Sequence, residues 1–233
     1  MPWNWRSKHE SARGTLIVYT AIFGTIPDRL RPPARRPSDS GVRYVCFTDR
    51  ADAFPDCGPW ELRGAVWTHA DARRTARYHK ILSHVIFPES DYSLWLDGNI
   101  RLMVDPWRIM RRHLADGVDV AAFKHRHREC VYEELEACVR LDKDGADVMR
   151  AQVDRYRAAG YPAQHGLAET GVLARRHSPA VHEFNQAWWR EIERGSMRDQ
   201  LSFNYVLWTL GRRHGLLTGR PDKSPYVRYA RHR

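Results

Sequence analysis

The chain has 233 residues, 42% of them hydrophobic, and carries a formal net charge of +10. That length suits one sizeable α/β domain, and the longest apolar runs, of about ten residues, are too short to span a bilayer. The charge favours an anionic partner, whether a nucleotide-sugar diphosphate, a nucleic acid or anionic lipid headgroups, and is equally typical of arginines on a solvated surface. The four cysteines form no C-x-x-C pair, which excludes zinc-ribbon and thioredoxin-like motifs. The first residues lack an apolar signal segment, so we expect a soluble, reduced, cytoplasmic protein.

The first part of the chain predicts strands that are followed by a basic helix. Continuous apolar runs predict buried strands at residues 15–23 and 42–47, and residues 66–68 predict a third. Residues 71–86 predict one helix, which ends before Pro88. Three basic residues share a face of this helix: Arg73, Arg77 and Lys80.

The rest of the chain continues this alternation. Strands are predicted at 92–96, 118–123 and 167–174. Helices are predicted at 106–114, 130–140, 146–159, 178–194 and 199–210. The residues from Gly215 onward are basic and predicted to be irregular. The alternation predicts a three-layer α/β fold with a mainly parallel central sheet. We divide the chain into an N-terminal extension (1–14), one domain (15–214) and a basic C-terminal tail (215–233).

The run DYSLWLDGNIR at residues 91–101 ends a predicted strand with two oxygen-bearing side chains. Asp97 offers a carboxylate and Asn99 an amide oxygen, while Gly98 lets the backbone turn between them. Mg²⁺ and Mn²⁺ take such hard oxygen ligands, together with water and substrate phosphates. The alternative is a strand followed by an ordinary Asp-Gly turn. Binding sites in parallel sheets lie at the carboxyl ends of strands, where further residues fall: Gly24, Asp49 and Lys124.

Polar residues in the second half of the chain supply candidates for the rest of a site. Glu169, at the start of a predicted strand, could orient an acceptor hydroxyl or act as a general base, or could pair with a nearby arginine. Asp199 and Gln200 lie at the start of a helix, where they could face a sugar, or where Asp199 or Ser196 could cap the helix. A basic loop follows the strand at 118–123 and offers cations for phosphate: Lys124, Arg126 and Arg128.

Six blocks of the sequence together resemble a known family. They are YTAIFGTIPDRL, VRYVCFTD, ARYHKILSHVIFPESDYSLWLDGNIRL, FKHRHRECVYEELEAC, GLAETGVLARRHS and FNQAWWREIERGSMRDQLSFNYVLW. The blocks resemble the glycosyltransferase-like domain first described as domain of unknown function 616, which has bacterial and plant mucilage-related members. The resemblance covers about residues 15–210. The family is similar to GT-A glycosyltransferases of the glycogenin and lipopolysaccharide galactosyltransferase group.

The resemblance implies a GT-A fold in which an Asp-x-Asp motif holds Mn²⁺ and the nucleotide diphosphate. Asp97-Gly98-Asn99 matches that motif with one carboxylate replaced by an amide. The implied donor and cofactor residues are Thr20, Ala21, Phe23, Asp49, Arg73, Arg77, Lys80, Asp97, Gly98, Asn99 and Lys124. The implied catalytic residues are Glu169, Asp199 and Gln200. A late histidine is often a further metal ligand in this fold; His214 and His232 are the candidates, and the predicted metal ligands are Asp97, Asn99 and His232.

The expected function is therefore metal-dependent transfer of a sugar, from a nucleotide diphosphate donor to a glycan, glycolipid or other hydroxyl acceptor. A UDP-sugar is the favoured donor and Mn²⁺ or Mg²⁺ the expected cofactor. One alternative is a non-catalytic sugar or nucleotide binder, because Asn99 removes a ligand charge. Another is a hydrolase that uses the same cleft on a glycolipid or amide. A nucleic-acid partner is not expected, since only the charge supports it, and that charge leaves peripheral membrane contact open.

Overall fold

The structure is a computed structural model that describes residues 14–25, 30–35, 41–115 and 117–229. In those residues, seven strands form the central sheet: β1 (Leu16–Ile22), β2 (Val42–Thr48), β3 (Trp60–Arg63), β4 (Tyr92–Leu96), β6 (Val120–Lys124), β7 (Ala168–Arg176) and β8 (Gly215–Leu216). A small sheet pairs β5 (Ile100–Leu102) with β9 (Val227–Tyr229). The helices are α1 (Ala72–Ile81), α2 (Ser83–Ile86), α3 (Pro106–His113), α4 (Val131–Arg140), α5 (Ala146–Ala158), α6 (Pro179–Arg194) and α7 (Asp199–Thr209).

The central sheet is mainly parallel, as the sequence predicts. Its strand order is β3-β2-β1-β4-β7-β6-β8. The pairs β1–β2, β1–β4, β2–β3 and β6–β8 are parallel, whereas β7 runs antiparallel to both of its neighbours. The amino end of β7 therefore lies at the same edge of the sheet as the carboxyl ends of β1, β4 and β6.

Apolar side chains cover both faces of the sheet. All seven residues of β1 are buried, and its apolar residues are divided between two clusters, one on each face of the sheet. One cluster includes residues of α3 and β9, such as Trp107 and Val227. The other includes residues of α1, α6 and α7, such as Trp188 and Phe203. The predicted three-layer α/β fold is confirmed. Within the described ranges, no helix has both the length and the apolar composition needed to cross a membrane.

One predicted strand and one predicted helix differ from the structure. The third strand is β3 and not residues 66–68, because Trp60 is buried against Tyr44, whereas Val66 is 60% exposed. The single helix predicted at 71–86 is interrupted at Leu82. The guanidinium of Arg175 donates to the carbonyls of Lys80 and Ile81, and these contacts take acceptors that a continuous helix would use.

The residues after Gly215 are also more ordered than the sequence predicts. Gly215 and Leu216 pair with β6, and β9 pairs with β5. These strands have only two and three residues, and long-range pairing rather than a local pattern defines them. The predicted capping of α7 by Ser196 or Asp199 is wrong as well, because Arg198 is its N-cap residue and no side-chain cap is formed.

Candidate functional site

The strand ends described above border two adjoining cavities. The first, of about 490 Å³, is lined on the β1, α1 and β4 side by Ala21, Arg73, Gly98 and Asn99. The second, of about 340 Å³, is lined on the β6, β7 and α7 side by residues that include His125, Arg126, Glu169 and Gln200. Six residues line both cavities: Arg77, Asp97, Leu141, Lys143, Arg198 and Tyr229. We call these six the shared wall.

Asp97 belongs to the shared wall and directly follows the last residue of β4. Its backbone N–H donates to the carbonyl of Gly171 on β7 at 2.8 Å. Its Oδ1 accepts from Trp95 Nε1 at 2.7 Å and from Lys80 Nζ at 3.4 Å. The side chain is 39% exposed. The carboxylate is thus oriented by its neighbours and is still accessible from the cleft that the two cavities form together.

A buried ion network lies behind Asp97. The carboxylate of Asp199 forms ion pairs with Lys80 Nζ at 2.6 Å and with Arg77 Nε at 3.1 Å. It also accepts a hydrogen bond from Thr170 Oγ1 at 2.8 Å. Burial by itself would raise the pKa of Asp199, but the charges of Arg77 and Lys80 outweigh burial and hold this pKa well below its ordinary value. Asp199 is therefore a carboxylate that is ionised at neutral pH and holds two cations in place beside the cavities. This geometry suits a positioning residue rather than a general base.

Glu169 and Gln200 line the second cavity and are both held in place. Arg126 contacts the two carboxylate oxygens of Glu169 at 2.6 and 3.1 Å. Gln200 donates to the carbonyl of Ala168 at 3.3 Å and accepts from Arg198 at 3.2 Å. The structure thus shows the arginine pairing of Glu169 that the sequence left as an alternative, in a side chain that also borders the cleft.

Tyr229 is a shared-wall residue that the sequence did not indicate. Strand β9 carries it to the cleft, where the guanidinium of Arg126 lies 5.7 Å from the centre of its ring. Its hydroxyl is buried and makes no well-aligned hydrogen bond within the described residues. Burial, together with the nearby charges of Glu169 and Asp97, raises the pKa of Tyr229, so that the phenol remains protonated. The signal in the sequence was weak, since the residue belongs to a three-residue strand in a basic segment.

Four of the predicted donor residues lie apart from the two cavities. Thr20 is buried in β1 and Phe23 packs in the core next to His79. Asp49 accepts from the backbone N–H of Gly24 at 2.9 Å, which ties the ends of β1 and β2 together. Lys124 is exposed and pairs with Glu129. All the other predicted donor and catalytic residues line at least one cavity.

The predicted metal ligands are placed only in part. Asp97 and Asn99 both line the first cavity, whereas His232 lies outside the described residues. His214 lines neither cavity, and its ring is close to Asn204 and to the carbonyl of Gly215. Among the residues that the structure describes, no group of three or more His, Cys, Asp or Glu side chains is arranged around a metal position.

Comparisons with known proteins agree with the fold and with the resemblance in sequence. The chain is 31% identical over 216 residues to the probable hexosyltransferase MUCI70 of Arabidopsis thaliana, a match that covers 82% of this chain and 37% of that protein. It is 33% identical over 137 residues to the alkaline ceramidase TOD1 of Arabidopsis thaliana, covering 54% of this chain and 30% of that protein. The chain therefore spans only about a third of the length of these relatives.

The crystal structure of mouse xyloside xylosyltransferase 1, in its apo form, has a similar fold. The two chains superpose with a TM-score of 0.52 at 11% sequence identity, over 88% of this chain and 84% of the mouse chain. At that identity the likeness concerns the fold alone. The model of the TOD1/MUCI70 glycosyltransferase-like domain matches residues 60–218, which include Asp97, Glu169 and Asp199. This chain belongs to the TOD1/MUCI70 glycosyltransferase-like domain family.

Proposed function

We propose that this domain transfers a sugar from a nucleotide diphosphate donor to a hydroxyl group of a glycan or glycolipid acceptor. The observation that carries the proposal is the position of Asp97, which lies where two cavities meet and beside the fixed cations Lys80 and Arg77. A transfer reaction needs two adjoining sites with the reacting bond between them. The family membership and the shared fold support the same reaction class.

In this proposal the first cavity takes the donor. It lies at the carboxyl ends of β1 and β4, where ligands bind in parallel α/β sheets, and Arg73 and Arg77 lie on its α1 side. A diphosphate is attracted to this wall by charge and can form paired hydrogen bonds with a guanidinium. The resemblance in sequence favours a UDP-sugar as the donor.

The residues of the first cavity fit a divalent cation. Within the described residues, both hydrogen bonds to the Asp97 carboxylate go to Oδ1, which leaves Oδ2 available as a ligand. Asn99 adds an amide oxygen, and a set of one carboxylate, one amide, substrate phosphates and water is typical of Mg²⁺ or Mn²⁺. Such an ion would supply positive charge to the departing diphosphate.

The chain's own residues have separate tasks in this reaction. Lys80 and Arg77 provide positive charge that Asp199 holds in place before the reaction begins, so little reorganisation is needed as charge develops on the diphosphate. Glu169, fixed by Arg126, and Gln200 border the second cavity, where they orient the acceptor. Tyr229, which remains protonated, offers a hydrogen-bond donor between the two cavities.

The test measures turnover of a panel of UDP-sugars, with and without Mn²⁺, by release of UDP. We expect turnover that needs an acceptor and falls by about 100-fold or more in Asp97→Ala. Asp56→Ala is the matched control, since Asp56 is exposed and lines neither cavity. Nucleotide binding without turnover of any donor would instead favour the non-catalytic binder.

A hydrolase is the second candidate, because one relative is named as an alkaline ceramidase and matches 54% of this chain. This function requires a water molecule to attack an amide in the same cleft, and it needs no nucleotide. Incubating the protein with a ceramide, and measuring fatty-acid release without nucleotide, separates the two. We expect no release. Release that is lost in Asp97→Ala would favour the hydrolase.

A further inference from the structure

We propose that Lys143, in the loop between α4 and α5, binds the diphosphate of the donor. This inference rests on the proposed function and adds a binding residue that neither the motifs of the sequence nor the comparisons indicate. Lys143 belongs to the shared wall, as does its neighbour Leu141, so the loop borders the donor cavity and the second cavity together.

The backbone of this loop is fixed over the cleft. Asp142 adopts a left-handed conformation with φ of +47°, and the N–H of Lys143 donates to the carbonyl of Cys138 at 3.0 Å. The carboxylate of Asp144 accepts from Ser196 Oγ at 2.6 Å and from the N–H of Met197 at 2.9 Å. The loop is thus anchored on both sides of Lys143.

Arg73 gives the loop a further attachment. Its guanidinium pairs with Asp71 at 3.0 Å and also donates to the carbonyl of Lys143 at 3.4 Å. The sequence indicated Arg73 as a phosphate ligand, and in the structure it lines the first cavity and also connects the start of α1 to the loop. The main chain of Lys143 is therefore held by α1, while its side chain remains exposed.

The partners of their side chains distinguish Lys143 from the other two cations of the shared wall, Arg77 and Arg198. Arg77 is paired with Asp199 at 3.1 Å. Arg198 donates to Gln200, and Asp199 is also close to it. Lys143 has neither an ion pair nor a side-chain hydrogen bond with any residue that the structure describes. An anion can therefore bind its ammonium group without displacing a carboxylate.

The position of Lys143 indicates which part of the donor it contacts, namely the diphosphate. The bond that breaks joins the sugar to the diphosphate, so that bond must be reachable from both cavities, and this requirement places the diphosphate along the shared wall. A diphosphate also carries more negative charge than one divalent ion cancels, and a lysine ammonium is a compact point charge that suits phosphate. The nucleoside lies further into the first cavity and should not sense Lys143.

Calorimetric titration of the full chain with UDP, UMP and uridine, each with Mn²⁺, tests the proposal. We expect Lys143→Met to weaken UDP binding by about tenfold and to leave uridine binding unchanged, because one charge-assisted contact is lost. Lys143→Arg keeps the charge and should bind UDP within about threefold of the unmodified chain. Lys223→Met, an exposed lysine outside both cavities, is the matched control.

Each alternative outcome is decisive. Unchanged UDP affinity in Lys143→Met would overturn the role of Lys143 and leave the proposed function standing. Equal losses for UDP and uridine would also overturn it, since they would show a distorted cavity; the melting temperature of the variant provides an independent check on folding. If the unmodified chain binds no UDP, the proposed donor is wrong and the role of Lys143 falls with it.

Discussion

At the scale of single residues, Asp199 supplies the buried negative charge that pairs with Lys80 and Arg77 beside the cleft. Lys80 is 1% exposed, and Asp199 is its nearest carboxylate. We predict that Asp199→Asn lowers the free energy of unfolding by about 3 to 5 kcal/mol, because a buried ammonium loses its nearest counter-charge and keeps only the longer contact with Asp97. Urea unfolding measures the loss. Asp154→Asn, which breaks an exposed pair with Arg157, should cost less than about 1 kcal/mol, and equal losses would contradict the prediction.

The same carboxylate predicts a pH dependence. The pKa of Asp199 is lower in the folded protein than its ordinary value of 3.8, so the folded state favours the ionised form. Its contribution to stability is therefore fully present above pH 3.8, and it is lost as the pH falls from there towards the lower pKa of the folded protein. Urea unfolding at a series of acidic pH values should show a steeper loss of stability in the unmodified chain than in Asp199→Asn. Parallel curves would show that Asp199 is not the group responsible.

Gly171 shapes the site by lacking a side chain. A Cβ at this position would lie 3.2 Å from Asp97 Oδ2 and from the Tyr229 hydroxyl, and 3.3 Å from Ile100. We predict that Gly171→Ala pushes these groups apart, costs about 1 to 3 kcal/mol of stability and weakens Mn²⁺-dependent UDP binding. Thermal unfolding and calorimetry measure the two effects. Gly64→Ala, where no atom lies within 4 Å of the added Cβ, should leave UDP binding unchanged.

The sequence predicts part of the site because some of its residues belong to local patterns. Asp97 and Asn99 follow an apolar strand, and Arg77 and Lys80 share a helix face. Their spacing in the sequence is therefore sufficient to predict them as site residues. Tyr229 was not predictable in this way, because a three-residue strand that pairs with β5 carries it to the cleft. Residues such as Lys143 and Arg198 come from loops and helix starts, whose position depends on packing rather than on periodicity.

At the scale of elements, the interruption between α1 and α2 depends on one buried arginine. Arg175 on β7 is fully buried; it donates to the carbonyls of Lys80 and Ile81 and to the hydroxyl of Tyr19, which in turn donates to the carbonyl of Lys80. Local sequence favours a longer helix and contains no sign of this distant contact. The end of α1 is thus fixed by the strand beneath it, and with it the position of the Lys80 side chain.

Replacing this arginine should therefore affect both stability and binding. We predict that Arg175→Met lowers the free energy of unfolding by about 2 to 4 kcal/mol, since buried carbonyls lose their donors, and that it weakens UDP binding through displacement of Lys80. Urea unfolding and calorimetry measure the two effects. Arg190→Met on the exposed side of α6 should change neither. A loss of stability with unchanged UDP affinity would show that Arg175 does not position Lys80.

At the scale of the whole molecule, the architecture was predictable because strands that are covered on both faces read as continuous apolar runs. The antiparallel direction of β7 was not predictable, since a strand has the same composition in either direction. That direction matters for the site, because it brings the start of β7, with Glu169 and Thr170, to the edge where β4 ends. Connectivity and long-range pairing, rather than propensity, thus complete the cleft.

Residues 224–233, at the C-terminal end of the chain, determine how far the domain extends. The sequence predicts a domain that ends at residue 214, yet Tyr226 and Val227 are 2% and 1% exposed in the core, and the carbonyl of Tyr226 accepts from the N–H of Met103 at 2.8 Å. We predict that deletion of residues 224–233 lowers stability by at least about 3 kcal/mol, the value of two buried apolar side chains, and abolishes sugar transfer because Tyr229 is lost. Thermal unfolding and the UDP-release assay measure both effects.

The matched control for this deletion is His232→Ala, which removes the predicted metal ligand and leaves β9 intact. It should weaken Mn²⁺ binding without lowering stability, because the substitution removes the predicted ligand and retains the buried side chains of Tyr226 and Val227. If the deletion left the melting temperature unchanged, β9 would not belong to the cooperative unit and the boundary predicted at residue 214 would stand. If His232→Ala left Mn²⁺ affinity unchanged while the deletion abolished transfer, Tyr229 and the strand that carries it would be the contribution of this segment to the site.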